Sequence, residues 1–210
     1  SAHYVRFLLA ATLFGLGKPV EAAEAMDRVI RADTTYEYFS FYGNLLYHLR
    51  RFADAKRIFD VAAKLSPNDP WPREMAADLH EKLGEFAEAA KAYELLGRSI
   101  KGEGWLREKM ASLRIQAKEY DQALTLLRGA LMTDPDPLNL RLNLMVLFEI
   151  PEVREKTAVL YRDLLSAHPD NLSLRRDLGS LYFKAGDFPA AEEAFRVLVE
   201  RYQSRVCGIA

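Results

Sequence analysis

A period of about 34 residues runs through almost the whole chain and restricts its fold more than any other feature of the sequence. Large aromatic residues recur at this spacing or a multiple of it, alanine follows each of them three positions later, and proline closes several units. The recurring residues are Phe52, Phe86, Tyr120 and Phe188, then Ala55, Ala89, Ala123 and Ala191, then Pro67, Pro135 and Pro169. Such a period predicts stacked supersecondary units, because one unit cannot bury its apolar face alone.

Each unit is predicted to contain two helices, because its apolar residues fall at helical spacing and turn residues interrupt them about every fifteen positions. In the third unit, Asp69 and Pro70 predict the start of a helix. Gly84 predicts its end near Leu83, since glycine adopts the left-handed conformation without a steric penalty. The second helix of this unit is expected to begin at Glu85.

These residues resemble the tetratricopeptide repeat family. The third unit has Ala76-Ala77, His80, Gly84-Glu85-Phe86, Ala89 and Tyr93, and the sixth has Leu178-Gly179, Tyr182, Gly186-Asp187-Phe188, Ala191 and Phe195. The resemblance implies an all-α fold, a right-handed α-solenoid of about six helix-turn-helix repeats that form a single array over 1–210. The units are expected at about 2–35, 36–69, 70–103, 104–137, 138–171 and 172–205.

The sequence departs from the family pattern in two places. In the fifth unit, Pro151 predicts that the first helix ends at or before Ile150, because proline inside a helix removes a hydrogen bond. Arg154 and Thr157 replace the expected aromatic residue and alanine. This unit is either a degenerate repeat with a remodelled turn or a purposeful bend. The other departure is a glycine-rich connection around Lys101, which we expect to be looser.

The composition predicts an ordered domain without a global electrostatic partner. Lys and Arg number 29 against 30 Asp and Glu, and half of the residues are hydrophobic. The pI near 6.4 argues against a nucleic-acid binder. The longest apolar run, from Phe7 to Gly17, is too short to span a bilayer and should form the first helix. One cysteine, Cys207, fits the cytoplasm and the bacterial periplasm equally well, so the compartment stays open.

The sequence offers no candidate for a catalytic, cofactor-binding or metal-binding residue, and we therefore expect no enzyme. His80-Glu81 lacks the second histidine of the zinc-hydrolase helix motif. The segment from Gly15 to Lys18 lacks the spacing of a phosphate-binding loop and is expected to form a turn. Asp134 and Asp136 alternate with prolines, as is typical of turn and capping residues.

The family resemblance implies that the first helix of each repeat lines a concave groove, which binds a partner protein or peptide. The groove candidates with side chains suited to binding are Glu37, Asn44, Tyr47, His48, Trp71, Glu74, Asp78, Glu81, Trp105 and Glu108. In the second to fourth units, five carboxylates at groove positions face two lysines. We therefore expect a basic partner held by the aromatic anchors Tyr47, Trp71 and Trp105. Alternatively, the carboxylates are solvated and both tryptophans pack between repeats.

One known binding mode of the family is unlike this sequence. Arrays that hold the C-terminal carboxylate of a chaperone tail use lysine and asparagine at two groove positions, followed by further cationic or amide residues. This chain has Ser40 and Asn44, and then Glu74 and Asp78, at the corresponding places. A carboxylate would meet like charge there, which argues against this mode.

The sequence thus favours a non-catalytic scaffold for protein–protein interaction, without direct membrane insertion. The alternative is a repeat module of a larger bacterial envelope or exopolysaccharide secretion protein, or of a multidomain enzyme. The last helix, expected from Ala190 to about Tyr202, carries Phe195, Leu198, Val199 and Tyr202 on a face that should be polar in a terminal repeat. We therefore expect the chain to be part of a longer protein, and such a face also allows self-association.

Overall fold

The structure, a computed structural model, describes residues 2–99 and 104–206, and every regular element in these ranges is a helix. The chain divides into two compact units, 1–103 and 104–210. The first contains α1 (Ala2–Gly15), α2 (Pro19–Ile30), α3 (Tyr36–His48), α4 (Phe52–Leu65), α5 (Trp71–Lys82) and α6 (Phe86–Ser99). The second contains α7 (Gly104–Gln116), α8 (Tyr120–Leu131), α9 (Leu138–Glu149), α10 (Arg154–Ala167), α11 (Leu172–Ala185) and α12 (Phe188–Val206).

These helices form six consecutive pairs, three in each unit, so the predicted all-α repeat fold is confirmed. Within each unit, a helix packs mainly against the helix that follows it, and the first helix of a pair also packs against the preceding pair. We call the two members of a pair helix A and helix B. The core of each unit is therefore a series of interfaces between neighbours, as a repeat array requires.

A close contact between a small residue on helix A and an aromatic ring on helix B holds the pairs together. A Cβ atom added to Gly43 would lie 2.9 Å from Cζ of Phe59, and one added to Gly179 would lie 2.8 Å from Cε1 of Phe195. Ala89, one of the recurring alanines, lies on helix B of the third pair and is also fully buried. Small residues recur because only they let the two helix backbones approach while the ring fills the remaining space.

The turns inside the pairs explain the recurrence of glycine. Gly84 and Gly186 follow helices A and have φ angles of 77° and 79°. This left-handed conformation is costly for residues with a Cβ atom, yet Arg50 and Lys118 occupy it in other pairs, with φ angles of 57° and 60°. The expected stop of α5 near Leu83 is confirmed, since the helix ends at Lys82.

The spacing along the sequence between the first and second helix pairs is one residue shorter than the spacing between the second and third. The turn bond from the amide of Lys18 to the carbonyl of Leu13 corresponds to the bond from Arg51 to Leu46 in the second pair. In the third pair, the equivalent bond runs from Glu85 to His80. The step from Lys18 to Arg51 is thus one residue shorter than the step from Arg51 to Glu85. A residue of the first pair therefore corresponds to the residue of the second pair that is as far along the chain as Arg51 is from Lys18. We call this spacing the shortened offset of the first repeat.

The start of α5 differs slightly from the expectation. The helix begins at Trp71, and Asp69 acts from two residues upstream, where its Oδ1 accepts a hydrogen bond of 2.9 Å from the amide of Trp71. Pro72 occupies the first turn, where a missing N–H costs little. The aspartate therefore still satisfies a free backbone donor at the helix start.

The fifth repeat has the remodelled turn that Pro151 predicts. Helix α9 ends at Glu149, and Ile150 is extended. The guanidinium of Arg154 then donates to the carbonyl of Phe148 at 3.1 Å and bridges the turn. Thr157 is fully buried in place of alanine, and its hydroxyl donates to the carbonyl of Val153 at 2.9 Å. The substitution is tolerated because the hydroxyl is satisfied within its own helix.

The longest apolar run forms most of α1, as expected, and the segment after it forms a turn at Gly17. Among the described residues, no helix combines the length and the apolar character needed to cross a membrane. Lys101, where we expect a looser connection, lies outside the described residues, as does Cys207.

The expectation for the apolar face of α12 needs correction. Leu198 is buried and Phe195 is partly buried, because the ring of Phe195 packs onto Gly179 of its own pair. Val199 and Tyr202 are exposed. Of the apolar face expected on the last helix, Val199 and Tyr202 therefore stay uncovered.

We predict that Gly179→Ala destabilises the protein, because its Cβ atom would collide with the Phe195 ring. The free energy of unfolding should fall by about 1–3 kcal/mol. Gly129→Ala is the matched control, since a Cβ atom at Gly129 has no neighbour within 4 Å. That change should raise stability by roughly 0.5–1 kcal/mol, because glycine is unfavourable inside a helix. Urea denaturation followed by circular dichroism measures both, and equal effects would contradict the packing argument.

Candidate functional site

The exposed side of helices α3 and α5 carries the strongest candidate site of the first unit. Glu74, Asp78 and Glu81 lie three or four residues apart on α5, so their side chains share one face of the helix. All three are partly buried. We call this surface the acidic face of α5. Because the groove candidates of the second and third repeats belong to neighbouring helices A, the face continues onto α3.

Tyr47 joins the two helices. Its hydroxyl donates a hydrogen bond of 2.9 Å to Oδ2 of Asp78, and its ring contacts Phe52 at a centroid distance of 5.6 Å. Burial and the bond to Asp78 raise the pKa of Tyr47. The tyrosine therefore stays neutral and fixes the orientation of the Asp78 carboxylate.

Two carboxylates of the acidic face lack a countercharge within the described residues. No lysine, arginine or histidine there forms an ion pair with Glu74 or Asp78. Burial raises the pKa of Tyr93, and the negative charges of Asp78, Glu81 and Glu74 raise it further. Three carboxylates thus act together on one buried phenol, which shows that the field at α5 is negative.

Glu85, another carboxylate of the first unit, is paired with two basic side chains. Oε2 of Glu85 lies 2.7 Å from Nζ of Lys56 and 2.6 Å from Nδ1 of His80. Hydrogen bonds from these two groups lower the pKa of Glu85. The contrast matters because an unneutralised carboxylate is open to a cation from a partner.

On helices A of the second unit, two carboxylates are paired with cations. Asp177 pairs with Arg141 at 3.0 Å, and both side chains are more than 90% buried. Glu149 lies 3.4 Å from Nζ of Lys184. The sequence pattern does not predict the buried Arg141–Asp177 pair, because neither residue lies at one of the recurring aromatic, alanine or proline positions.

The two tryptophan candidates have different environments. The Trp71 ring packs edge-on against Phe59 at 5.2 Å and belongs to the core of the first unit. This contact agrees with the alternative that Trp71 packs between repeats. Trp105, on α7 of the second unit, is 41% exposed. Glu108 accepts a hydrogen bond of 3.0 Å from the amide of Asn139.

The remaining candidates lie on α3. Glu37, Asn44 and His48 are exposed, and the His48 ring lies 5.4 Å from the ring of Phe14. The structure therefore brings Tyr47 together with the acidic face of α5 in the first unit. Trp105 and Glu108 belong to the second unit.

Aromatic residues of the first repeat were missed by the sequence interpretation. Phe7 and Phe14 contact the Phe41 ring at 5.4 and 6.1 Å, both in edge-on geometry. With the shortened offset of the first repeat, Phe14 occupies the place of Tyr47. A sequence signal existed, because aligning Gly17 with Arg50 reveals the short first step, but the assumption of a uniform period concealed it.

The site can bind cations and hydrogen-bond donors. Its functional groups are carboxylates and one tyrosine hydroxyl, which complement ammonium and guanidinium groups. In the described ranges, no group of three or more His, Cys, Asp or Glu residues could hold a metal ion.

Family models support the repeat assignment at both ends of the chain. Two models, each described as tetratricopeptide repeat, match residues 3–70 and 155–206. Among curated proteins, the comparison finds no match to this chain.

Several solved structures share the fold. A tetratricopeptide repeat protein from Parabacteroides merdae ATCC 43184 is 18% identical over 94% of this chain and 79% of its own, with a TM-score of 0.58. MamA from Desulfovibrio magneticus RS-1, from residue 41 to its end, is 14% identical over 96% of both chains, with a TM-score of 0.52. YrrB, described as having an unusual peptide-binding site, is 17% identical over 82% of this chain and 89% of its own, with a TM-score of 0.50.

We predict that Tyr47→Phe lowers the free energy of unfolding by about 0.5–1.5 kcal/mol, because one partly buried hydrogen bond is lost. A double-mutant cycle with Asp78→Ala should show most of this effect as coupling between the two residues. Since the pKa of Tyr47 is raised above 10.0, the contribution is complete below pH 10 and disappears as the pH rises through the raised pKa. Tyr182→Phe is the control, because that hydroxyl makes only a long contact of 3.4 Å with Arg162.

Proposed function

Because the chain belongs to the tetratricopeptide repeat family, we propose that it is a non-catalytic scaffold that binds a basic segment of a partner protein at the acidic face of α5. Proteins of this family generally act as scaffolds for protein–protein interaction. The fold is generally non-catalytic. A rigid array of helix pairs suits this role, since it presents side chains at fixed spacing to an extended ligand.

The observation that carries the proposal is the unneutralised pair of carboxylates beside Tyr47. Glu74 and Asp78 are partly buried, and no cation of the described residues pairs with either. A lysine or arginine from a partner would supply the missing countercharge. Carboxylates that the fold already holds in place lose little freedom when a ligand binds.

The rest of the groove extends this proposal. Glu37, Asn44 and His48 are exposed on α3 and offer polar contacts next to the acidic face. Trp105 and Glu108 offer a separate contact on the second unit. A peptide is our choice of ligand because the similar structure YrrB is described as having a peptide-binding site.

A second candidate function is a module within a larger bacterial envelope or exopolysaccharide secretion protein, or within a multidomain enzyme. The exposed side chains Val199 and Tyr202 on α12 support it, because they offer a surface for a further helix. The same surface can mediate self-association. The length of the parent gene tests the module directly, since the module requires coding sequence well beyond these 210 residues.

We predict that Glu74→Lys/Asp78→Lys weakens binding of a basic partner on the order of tenfold or more, because two attractive contacts become repulsive. The partner is first identified by co-purification and mass spectrometry. Its affinity for wild type and variant is then measured by calorimetry at low and high salt. Wild-type affinity should fall with salt, whereas the variant should lose this dependence.

Asp60→Lys/Glu88→Lys is the matched control, because it makes the same change of charge at exposed positions on the helices B of the same unit. It should change the affinity less than about twofold, since charges away from the contact are screened. Circular dichroism checks that both variants fold. An unchanged affinity and salt dependence in folded Glu74→Lys/Asp78→Lys would remove the acidic face from the proposal and leave the scaffold assignment in place.

A further inference from the structure

A cleft of about 550 Å³ lies in the second unit, lined by α10 and α12, two successive helices B, and by α11 between them. We call it the α10–α12 cleft. The apolar side chains Leu165, Leu178 and Ala194 line it together with the charged side chains Arg175 and Glu193. A cleft of this volume, with a few polar groups among apolar ones, suits a small organic molecule.

The preceding helices B, α8 and α10, are joined by two ion pairs. Nζ of Lys156 lies 2.6 Å from Oδ1 of Asp121, and Nη1 of Arg128 lies 2.8 Å from Oδ2 of Asp163. Lys156, Asp121 and Arg128 also line the cleft between these two helices, which measures about 350 Å³. The charges around that cleft therefore neutralise one another between the helices.

The same bridges cannot form between α10 and α12. One repeat later, Ala190 and Val197 stand in the places of Lys156 and Asp163. Glu155 and Arg162, which stand in the places of the other two partners, pair with each other on α10 at 2.8 Å. The loss of two bridging side chains accounts for the larger cleft at this step.

A further helix pair would leave the α10–α12 cleft open. Both helices B that line it are present in the chain. The corresponding cleft between α8 and α10 stays open although the sixth helix pair follows it. The access to the cleft is therefore a property of this repeat step.

Two charged groups of the cleft lack a partner of opposite charge. Arg175 donates to the carbonyl of Pro169 at 3.3 Å, and no carboxylate in the described part of the chain forms an ion pair with it. Among the same residues, no lysine, arginine or histidine forms an ion pair with Glu193. The cleft thus offers one unpaired cation on α11 and one unpaired anion on α12.

We propose that the α10–α12 cleft binds an α-amino acid with an apolar side chain. Arg175 pairs with the ligand carboxylate, Glu193 accepts hydrogen bonds from its ammonium group, and the aliphatic side chains of the cleft contact its apolar part. A zwitterion neutralises both protein groups, whereas a simple anion is repelled by Glu193 and a simple cation by Arg175. The inference goes beyond the proposed function, because the ligand is a small molecule and the site belongs to the second unit.

The fold holds Arg175 in place before a ligand binds. The side chain is partly buried, and its bond to a proline carbonyl recurs in the third repeat, where Arg73 donates to Pro67 at 2.6 Å. A guanidinium that is already positioned loses little freedom when it binds a carboxylate. The third repeat has Lys91 in the place of Glu193, so it lacks the same combination of charges.

Titration of the whole chain with amino acids, followed by NMR chemical shifts, tests the class of ligand. Leucine should bind saturably. Its analogues 4-methylpentanoate, which lacks the ammonium group, and 3-methylbutylamine, which lacks the carboxylate, should bind at least about tenfold more weakly. The inference is overturned if leucine, methionine and phenylalanine all fail to saturate up to on the order of 10 mM, or if either analogue binds as tightly as leucine.

Two substitutions test the charged groups. Arg175→Gln and Glu193→Gln should each weaken leucine binding about tenfold or more, because one charged contact is lost. Arg73→Gln is the matched control for the first, since it removes the same bond to a proline carbonyl in the third repeat. Glu192→Gln is the control for the second, because Glu192 is exposed on the same helix. Both controls should keep the wild-type affinity, and an equal loss in either control would overturn the inference.

Ala190→Lys tests the place of the site. It adds the lysine that joins α8 to α10 one repeat earlier, and this lysine should pair with Glu155, fill the cleft and abolish leucine binding. Ala190→Ser should keep the binding. Circular dichroism checks the fold, and if Arg175→Gln is unfolded, the exposed Glu193 and Ala190→Lys still decide. Unchanged leucine binding in folded Ala190→Lys or folded Glu193→Gln would refute the site, and each result is independent of binding at the acidic face of α5.

Discussion

The contact between a small residue on helix A and an aromatic ring on helix B is the constraint on which the rest of the structure depends. At Gly43 and Gly179, the ring of the partner helix occupies the space in which any larger side chain would place its Cβ atom. This fixes the distance between the helices of a pair, and it therefore also fixes where the next pair can stack. The binding surface inherits its geometry from these contacts, since the side chains of α3 and α5 face outward only when both pairs are held in place.

The two units differ more clearly in how the carboxylates of their helices A are paired than in how their helices pack. In the second unit, two carboxylates on helices A pair with cations, in Arg141–Asp177 and Glu149–Lys184, whereas Glu108 meets the neutral amide of Asn139. In the first unit, Asp78 instead accepts a hydrogen bond from the neutral hydroxyl of Tyr47. A hydrogen bond orients a carboxylate without cancelling its charge, so the negative potential stays available at the surface. The same fold thus carries a balanced and an unbalanced set of charges.

The sequence predicts the architecture well because the residues that determine it recur in successive repeats and act on the backbone at their own positions. Glycine at a left-handed turn and proline after a helix limit the backbone directly, as at Gly84 and Pro151. The helix pairs and their number are confirmed on that basis. The shorter spacing of the first repeat was missed because one absent residue leaves the apolar pattern of a single helix pair intact, and the hydrogen bonds of the turns make it evident.

The side-chain environment of the site could be predicted less well. Trp71 and Trp105 hold the same repeat position, yet Trp71 packs against Phe59 and Trp105 is partly exposed. A repeat position does not encode this difference. The acidic character of α5 was predictable from residue types alone, whereas the hydrogen bond that holds Asp78 required the structure. The role of the groove residues in binding remains a prediction.

Pairing between successive helices also has a consequence for how the chain acquires its structure. The helices of each unit meet mainly their neighbours along the sequence, so few long loops must close before stabilising contacts form. Topologies of this kind fold quickly, because the entropy lost on ordering the chain is recovered in small steps. During synthesis, the first helix pairs can assemble while the second unit is still being made. Structure then spreads from one repeat to the next.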